Sequence, residues 1–435
     1  MRLVHLGDLH LGTENYGRPD PQTGLNSRLF DFLRCFDVAV DCAIERNVDL
    51  VVFAGDAYRS REPSPTHQRE FAQRIHRLVS AGIPVLLVAG NHDLPSLPAK
   101  ASSLDVFSAL EVPGVTVVRR PQVIDQDTKS GVIRCACLPA LLRSALLADE
   151  DRRLDADALR RTLSRRLAQA AAQLADAVDG FAPSILVAHI GVEGAMVGSE
   201  AGLISGAEPM VPLAAVADAR YVYVALGHVH RFQEMNARPP VVYCGSLDRV
   251  DFGEEGQEKG FVVVDIEQGV GESKAWRASY EFVPTPARRF VTVDVQVESP
   301  DGTADIEQAI GAAHIADSVT RVRVTMKEDQ ALDEDRVRES LRESFLALPI
   351  RKEVLEPAAA PRAPGLAERM TDPLAALNEY LTLRQVSEER SRALREKAEA
   401  LLADLRRDTE PILGTTDNGV TSGRTADGGS RTAQP

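Results

Sequence analysis

The chain has 435 residues, of which 44% are hydrophobic and 26% are charged, and its formal net charge is −14. This length corresponds to roughly two to four domains, and the composition is that of a globular protein. The negative charge excludes a chain that is basic throughout, although it leaves room for a local basic groove. Aromatic residues make up only 5%, which argues against nucleic-acid binding by base stacking.

Five cysteines are present, an odd number without a CxxC pair. This argues against a disulfide framework and against a zinc ribbon, and it favours the cytoplasm. The opening MRLVHLGDLHLG lacks the apolar segment of a signal peptide. No apolar run approaches the roughly 18 residues of a membrane helix. The sequence therefore predicts a cytoplasmic protein that does not bind membranes.

Residues 1–285 alternate short apolar strands with amphipathic helices, which is typical of a layered α/β domain. Helices are predicted near Ser27–Asn47, Pro65–Ser80 and Asp155–Val178. The predicted strands are Leu3–Leu6, Leu50–Ala54, Val85–Ala89, Val115–Val118, Ile133–Leu138, Ile185–Ala188, Val222–Leu226, Val241–Cys244 and Phe261–Ile266.

A second, smaller unit is predicted over residues 286–356, after Pro284-Thr-Pro286. It begins with alternating valines in Phe290–Val297, which indicate a half-buried strand. A helix through Ile306 and Ile310, a strand around 322–326, a helix over Asp333–Leu348 and a strand over Ile350–Leu355 follow. The order predicts a small βαβαβ domain.

The remaining residues divide into a Pro- and Ala-rich linker (357–370), a helical segment (371–410) and a tail (411–435) whose composition predicts disorder. Asp372-Pro373 marks the start of a first helix, and Ser387 can cap a second one that carries an apolar stripe including Leu394 and Leu401. Two helices cannot bury such a stripe alone. They dock either on their own chain or on a partner, and the linker favours a partner.

Five short motifs each follow a predicted strand. They are Gly7-Asp8-Leu9-His10, Gly55-Asp56, Gly90-Asn91-His92-Asp93, His189, and Gly227-His228-Val229-His230. Ligand sites of α/β sheets assemble at the carboxyl ends of strands, and a glycine before the ligand allows close approach of the backbone. Taken alone, any of these histidines is more often structural and any Gly-Asp pair is often a turn. The combination of all five indicates a site.

Seven of these residues offer nitrogen or oxygen ligands and none offers a thiolate: Asp8, His10, Asp56, Asn91, His189, His228 and His230. That number exceeds one tetrahedral zinc site and suits two ions of higher coordination, such as Mn²⁺ or Fe²⁺. Two ions about 3.5–4 Å apart can clamp a phosphoryl group. His92 has no required metal role, and its imidazole suits proton transfer near neutral pH. The predicted chemistry is phosphoester hydrolysis.

In this order the motifs resemble those of the calcineurin-like metallophosphoesterase superfamily. The GDLHLG opening and the C-terminal modules resemble, within it, the SbcD-type DNA-repair exonuclease subunits. The resemblance implies a layered metallophosphoesterase β-sandwich flanked by helices, with a small α/β capping or DNA-binding domain and C-terminal helices. It also implies a DNA exonuclease acting on double-stranded ends, with single-strand endonuclease activity as a further expectation. The implied partners are DNA, a coiled-coil ATPase subunit bound by the terminal helices, and a second copy in a homodimer, with a nucleoid-associated location.

The same resemblance implies roles for individual residues. One metal ion, expected to be Mn²⁺, is implied on Asp8, His10, Asp56 and His230. The second is implied on Asp56, Asn91, His189 and His228. His92 is implied beside the scissile phosphate, and Asp93 is implied to orient this catalytic region.

One stretch departs from the family pattern. Phosphatases of the superfamily carry GDxxDRG, whereas this chain has Gly55-Asp56-Ala57-Tyr58-Arg59-Ser60-Arg61. This argues against a protein phosphatase and leaves open which group polarises His92, because nuclease relatives usually have Asp or His where Arg59 stands. Arg59 and Arg61 are predicted to bind substrate, and a plain surface position is the alternative for Arg59. The arginines that follow (69, 74 and 77) form either a solvated helix face or a phosphate-binding groove.

Two other functions compete with a DNA nuclease. A small-molecule phosphodiesterase or phosphomonoesterase would use the same site, but it does not require the roughly 150 residues after Pro284. A catalytically inactive scaffold between DNA and an ATPase would be free to lose some of the ligands, yet the set is complete. The nuclease is therefore the favoured prediction.

Overall fold

The computed structural model describes residues 1–355 and the helical stretches 373–383 and 388–408, with gaps at 96, 98–99, 143–145, 148–150, 152, 179, 199–207 and 270–274. The chain divides into two compact units, residues 1–355 and 356–435. No helix in the described part of the chain is long and apolar enough to cross a membrane. All five cysteines are free thiols.

Eighteen strands are described. In chain order they are β1 Arg2–Leu6, β2 Leu50–Ala54, β3 Val85–Val88, β4 Val115–Val118, β5 Gln122–Thr128, β6 Gly131–Leu138, β7 Ser184–His189, β8 Gly191–Val192, β9 Met210–Val211, β10 Tyr223–Gly227, β11 Gln233–Ala237, β12 Pro240–Tyr243, β13 Gly260–Gln268, β14 Trp276–Pro284, β15 Phe290–Gln296, β16 Val319–Lys327, β17 Leu346–Ala347 and β18 Arg351–Leu355. The α-helices are α1 Ser27–Glu45, α2 Pro65–Ser80, α3 Asp105–Ala109, α4 Ala156–Asp176, α5 Thr303–Ala312, α6 Glu334–Ser340, α7 Pro373–Leu383 and α8 Glu388–Asp408.

Two six-stranded sheets form the centre of the first unit. Their orders are β14-β13-β1-β2-β3-β4 and β11-β12-β10-β7-β6-β5. Strands β1 to β4 are mutually parallel, and so are β6, β7, β10 and β12. Because parallel strands end at the same edge, each sheet gathers the loops that follow these strands along one side.

Burial on both faces explains why the central strands are apolar almost throughout. In β1, Leu3 belongs to the core between the two sheets, together with Val52 and Ile133. Its neighbour Val4 points to the opposite face, where it joins the core that includes Phe32 of α1. A third core packs α4 on the outer face of the second sheet. The predicted α/β fold of layered sheets flanked by helices is confirmed.

Residues 290–355 build a small sheet of four parallel strands, β15 to β18, with a hydrophobic cluster of its own. The predicted helix over Asp333–Leu348 is wrong in its length. Helix α6 ends at Ser340, and Leu346 and Ala347 pair with β16 instead. Backbone pairing with a neighbouring strand outweighs local helical spacing here. A domain boundary between 285 and 286 stays a prediction.

The C-terminal helices α7 and α8 occur where the sequence predicts helices. Leu394 and Leu401 of the α8 stripe are 40% and 64% exposed. The capping residues Asp372 and Ser387, the linker and the tail lie outside the described residues.

A buried ion network fastens α1 to the chain segment that leads into β15. Arg28 is fully buried, and its Nη1 lies 2.8 Å from Oδ2 of Asp31 and 3.4 Å from Oδ2 of Asp248. Arg288 donates from Nε and Nη2 to the two carboxylate oxygens of Asp31, both at 2.6 Å. The guanidinium groups of Arg28 and Arg288 are therefore buried and ion-paired.

Replacing Arg28 with alanine is expected to lower the free energy of unfolding by about 3–5 kcal/mol, because it removes a buried cation from beside Asp31 and Asp248 and leaves their buried negative charge only partly compensated. Urea denaturation followed by circular dichroism measures this change. The matched control is Arg323→Ala, which removes an exposed pair with Asp294 and should leave the denaturation midpoint unchanged. Equal midpoints for both variants would contradict a stabilising role of the network.

Candidate metal centre

The ends of five strands bring the sequence-predicted residues together at one edge of the sandwich. Asp8 and His10 follow β1, Asp56 follows β2, Asn91, His92 and Asp93 follow β3, His189 ends β7, and His228 and His230 follow β10. Three overlapping groups have ligand atoms within 4.8 Å of one another: Asp8 with His10 and His230, His10 with Asp56 and His92, and Asp8 with Asp56 and His189. The site therefore draws on both sheets.

The first group of donors centres on His10. Its Nε2 lies 2.8 Å from Nε2 of His230 and 3.6 Å from Oδ2 of Asp56. His10 and Asp56 are almost completely buried. Two imidazole nitrogens at this separation share at most one hydrogen, so a nitrogen lone pair is directed into the gap between the rings.

The second group centres on His189. Its Nε2 lies 2.9 Å from Oδ1 of Asn91 and 3.4 Å from Oδ2 of Asp56. Asp56 thus stands between the two groups, with the same oxygen directed at both His10 and His189. His228 is linked to these groups through its main-chain N–H, which donates a hydrogen bond to the carboxylate of Asp8 at 2.9 Å.

Four of the predicted donors have left-handed backbone conformations. The φ angles are 48° at Asp8, 47° at His10, 56° at Asp56 and 100° at His228. Such angles are uncommon for residues other than glycine, and they concentrate at functional sites, where the surrounding structure enforces them. The strain here turns the side chains that follow the strands toward one another.

Glycines next to the donors make this convergence sterically possible. A Cβ atom at Gly55, whose φ is +95°, would stand 2.2 Å from Nδ1 of His189. A Cβ atom at Gly90 would stand 2.1 Å from Oδ1 of Asp56. The glycines at positions 55 and 90 are therefore needed for close approach, as the sequence predicts, whereas a Cβ atom at Gly7 would have no neighbour closer than 3.4 Å.

Gly55→Ala is expected to displace His189 and to remove most of the rise in Tm that we expect on addition of Mn²⁺. Gly82→Ala is the matched control, because Gly82 also has a positive φ of +77° but no atom within 4 Å of the added Cβ. The control should lose about 1–2 kcal/mol of stability through backbone strain alone and keep its response to Mn²⁺. Thermal unfolding with and without Mn²⁺ checks both variants. A Gly55→Ala protein indistinguishable from the control would contradict the steric argument.

The carboxylates and imidazoles of the donor groups shift one another's pKa values. Burial acts to raise the pKa of Asp56, but His189 and His10 outweigh it and hold this pKa well below its usual range. Burial raises the pKa of Asp8 to about 6, against the influence of His189 and His230. Burial acts to lower the pKa of His189, but Asp56 outweighs it and raises the value to about 10. A cation at this point matches the field that the carboxylates create.

The donor chemistry fits divalent metal ions. Carboxylate, amide and imidazole groups converge without a thiolate, and this set is typical of Mn²⁺, Fe²⁺ or similar ions. The close approach of the His10 and His230 nitrogens is also the arrangement that two ligands of one ion adopt. The structure thus contains candidate metal-binding clusters that include five of the seven predicted ligands (Asp8, His10, Asp56, His189 and His230) together with His92.

His92 and Asp93 point in different directions. The His92 ring lies edge-on to His10 with centroids 4.9 Å apart, and its Nδ1 lies 2.8 Å from the main-chain oxygen of Arg59. Burial lowers its pKa. Asp93 instead accepts hydrogen bonds from the main-chain N–H groups of Gly90, Ala57 and Tyr58, at 2.9 to 3.3 Å. These contacts are those of a residue that holds the β2 and β3 loops together.

A cavity of about 470 Å³ opens over the donors and is also lined by Arg59, Arg61 and His92. A second cavity of about 1050 Å³ shares these three residues and extends along Lys100 and α3. Arg59 and Arg61 are exposed, so the cations predicted to bind substrate stand where the two cavities meet. The later arginines differ: Arg74 and Arg77 are paired with Asp37 of α1, which favours the interpretation as a solvated helix face.

Sequence reasoning missed two carboxylates at the site. Oε1 of Glu208 lies 3.2 Å from Nε2 of His228, and Oε1 of Glu254 lies 2.7 Å from Nδ1 of His230. Neither glutamate belongs to a strand-end motif. Each reaches its histidine across 20 or more positions of sequence, and no local pattern signals such a contact.

The family model of the calcineurin-like phosphoesterases matches residues 1–232. The chain belongs to this family, as the sequence motifs predict, and is accordingly a hydrolase of phosphoric esters. Among curated relatives, the SbcD component of the nuclease SbcCD from Bacillus subtilis is 29% identical over 284 residues, which cover 64% of this chain and 68% of the relative. The SbcD component from Escherichia coli K12 is 26% identical over 281 residues, with coverages of 63% and 67%.

The DNA double-strand break repair protein Mre11 of Archaeoglobus fulgidus is also similar, with 27% identity over 318 residues, 69% of this chain and 63% of the relative. The chain thus spans about two thirds of the length of these relatives.

Proposed function

We propose that the chain is a metal-dependent DNA nuclease, an exonuclease on double-stranded ends that also cuts single strands internally. The observation that carries the proposal is the cavity in which the strand-end donors, His92 and two exposed arginines meet. The names of the relatives, nuclease and double-strand break repair protein, point to the same substrate.

The donors divide into two ion positions that share Asp56. One is formed by Asp8, His10, Asp56 and His230, and the other by Asp56, Asn91, His189 and His228. The distances of Asp56 Oδ2 to His10 and to His189, 3.6 and 3.4 Å, support this sharing. Two Mn²⁺ ions held there would supply charge stabilisation for the phosphoryl group and an activated water.

His92 is assigned to the leaving oxygen of the scissile bond. The carbonyl of Arg59 accepts from Nδ1, so Nδ1 carries a hydrogen and Nε2 is the nitrogen that exchanges a proton with substrate. This carbonyl thus replaces the second aspartate of the phosphatase pattern GDxxDRG, which this chain lacks. Because the acceptor is backbone, the side chain at position 59 is free to contact phosphate. Asp93 contributes by fixing the loop that carries His92.

Removing both arginines, Arg59→Ala/Arg61→Ala, is expected to raise KM for DNA by roughly tenfold for each charged hydrogen bond lost, with kcat and Mn²⁺ affinity little changed. Steady-state cleavage of a labelled duplex measures the effect. The matched control is Arg77→Ala, an exposed arginine on α2 that pairs with Asp37 and Asp41. If KM rises equally in the control, the arginines act through overall charge and not at the site.

We assign the remaining modules by the same reasoning. The exposed Leu394 and Leu401 on α8 suit a coiled-coil ATPase subunit as the partner of the terminal helices, and the small sheet suits a DNA-capping domain. A homodimer and a nucleoid-associated location in the cytoplasm belong to the same proposal.

The test is an assay of the purified chain with Mn²⁺ on linear duplex DNA, closed-circular single-stranded DNA and a chromogenic phosphodiester. Degradation of DNA that EDTA abolishes supports the nuclease. Turnover of the small diester alone would move the substrate to small molecules. If no substrate is cut, even with the ATPase partner present, the result would favour a catalytically inactive scaffold.

A further inference from the structure

A buried carboxylate outside the predicted donor set touches one of the metal donors. Glu254 is fully buried at the end of a short 3-10 turn, Phe252–Glu254. Its Oε1 lies 2.7 Å from Nδ1 of His230. The other nitrogen of the same ring, Nε2, lies 2.8 Å from Nε2 of His10 in the donor cluster. The two ring nitrogens of His230 thus face different surroundings, one a carboxylate and the other the candidate metal position.

We propose that Glu254 is a positioning residue that accepts the Nδ1 hydrogen of His230 and so keeps Nε2 unprotonated and aimed at the metal. This role of Glu254 rests on the proposed function, because it requires that His230 binds a metal ion. Histidine ligands generally donate their second ring N–H to a carboxylate or carbonyl, which fixes both the tautomer and the ring orientation. Among the donors of this site, His189 follows the same rule through Nδ1 and the carbonyl of Ala54, at 2.8 Å.

The surroundings of Glu254 determine which of its oxygens is available. Oε2 lies 2.8 Å from Nζ of Lys259, which is also buried, and accepts from the main-chain N–H of Val250 at 3.0 Å. With Oε2 held in this way, Oε1 is directed at His230. A carboxylate that served only as the counter-ion of Lys259 would not need this contact.

Lys259 extends the same arrangement to the backbone of the donor. Its Nζ donates to the main-chain oxygen of His230 and to Oγ of Ser246, each at 2.9 Å. Glu254 therefore orients the ring of His230 while its counter-ion holds the main chain of the same residue. The buried pair of Glu254 and Lys259 therefore fixes both the ring and the main chain of His230.

The decisive variant is Glu254→Gln. It keeps the shape of the side chain but replaces one carboxylate oxygen, which accepts hydrogen bonds, with an NH₂ group, which donates them. The amide oxygen will turn to Lys259 and Val250, so the NH₂ group faces Nδ1 of His230 and forces the hydrogen onto Nε2. Mn²⁺ titration by isothermal calorimetry should then show one of two ions bound 10- to 100-fold more weakly. The second ion, on Asp56, Asn91, His189 and His228, should be little affected.

The matched control is Asp31→Asn, which also neutralises a buried, ion-paired carboxylate but touches Arg28 and Arg288 and no metal donor. It should lose stability and keep both Mn²⁺ affinities. A folded Glu254→Gln protein with wild-type affinity for both ions would overturn the assignment. A wild-type chain that binds two Mn²⁺ ions but cuts no DNA would refute the proposed nuclease and leave the role of Glu254 intact.

A second measurement needs no change at Glu254 and so does not depend on that variant folding. In the EDTA-treated wild-type chain labelled with ¹⁵N-histidine, the ring nitrogens of His230 are identified by their loss in His230→Gln. The proposal requires the hydrogen on Nδ1. A hydrogen on Nε2 would overturn it.

Discussion

Replacing His92 with alanine is expected to lower kcat for DNA cleavage by about 10²- to 10⁴-fold, the range typical of a lost general acid or base. The ring stands beside the donors, 4.9 Å from the ring of His10, and the Arg59 carbonyl fixes its Nδ1 as a donor. Without it, the leaving oxygen departs unprotonated. Because the proposed ion positions do not use His92, both Mn²⁺ affinities should stay at the wild-type value.

Single-turnover cleavage of a labelled duplex, with calorimetric Mn²⁺ titration on the same preparation, separates these two effects. His76→Ala is the matched control, since His76 is an exposed histidine of α2 and its removal should change neither quantity. A p-nitrophenyl diester adds a sharper test: its leaving group needs little protonation, so the His92→Ala defect should shrink on this substrate. Because His92 also groups with His10 and Asp56, weakened Mn²⁺ binding in the variant would instead identify it as a metal donor.

The convergence of the candidate donors could be predicted because their signal is local. An apolar strand, a glycine and a polar residue follow one another directly at Gly7-Asp8, Gly55-Asp56 and Gly90-Asn91. The strand delivers the residue to the sheet edge, and the glycine leaves room for it. No knowledge of distant parts of the chain is required until the five motifs are counted together.

Features that depend on distant contacts could not be predicted in this way. Strands β5 and β11, at the two opposite edges of the second sheet, are partly exposed and rich in polar residues, so their apolar signal is weak. Strand β17 exists because Leu346 and Ala347 meet β16. Glu254 reaches His230 across 24 positions of the chain. The positive φ angles at four donors likewise arise from the assembled site and leave no mark at those residues.

Asp56→Asn is expected to have the largest effect on the site, with loss of both Mn²⁺ ions and of DNA cleavage down to background. One carboxylate oxygen, Oδ2, stands 3.6 Å from His10 and 3.4 Å from His189, and the other accepts the main-chain N–H of His92 at 2.8 Å. Asparagine keeps a single oxygen, carries no charge and can satisfy only part of this set. The two proposed ion positions and the loop of His92 are therefore expected to depend on one side chain.

Metal-linked stability provides the measurement, because an ion that binds only the folded chain raises the free energy of unfolding by about 2.7 kcal/mol when its concentration is 100 times Kd. Urea denaturation with and without Mn²⁺ should show this gain in the wild type and none in Asp56→Asn. Asp37→Asn is the matched control, since Asp37 pairs with Arg74 and Arg77 on the helices, and it should keep the full gain. If Asp56→Asn retained one tightly bound ion, Asp56 would belong to a single ion position, and the shared carboxylate on which the two-ion arrangement depends would have to be given up.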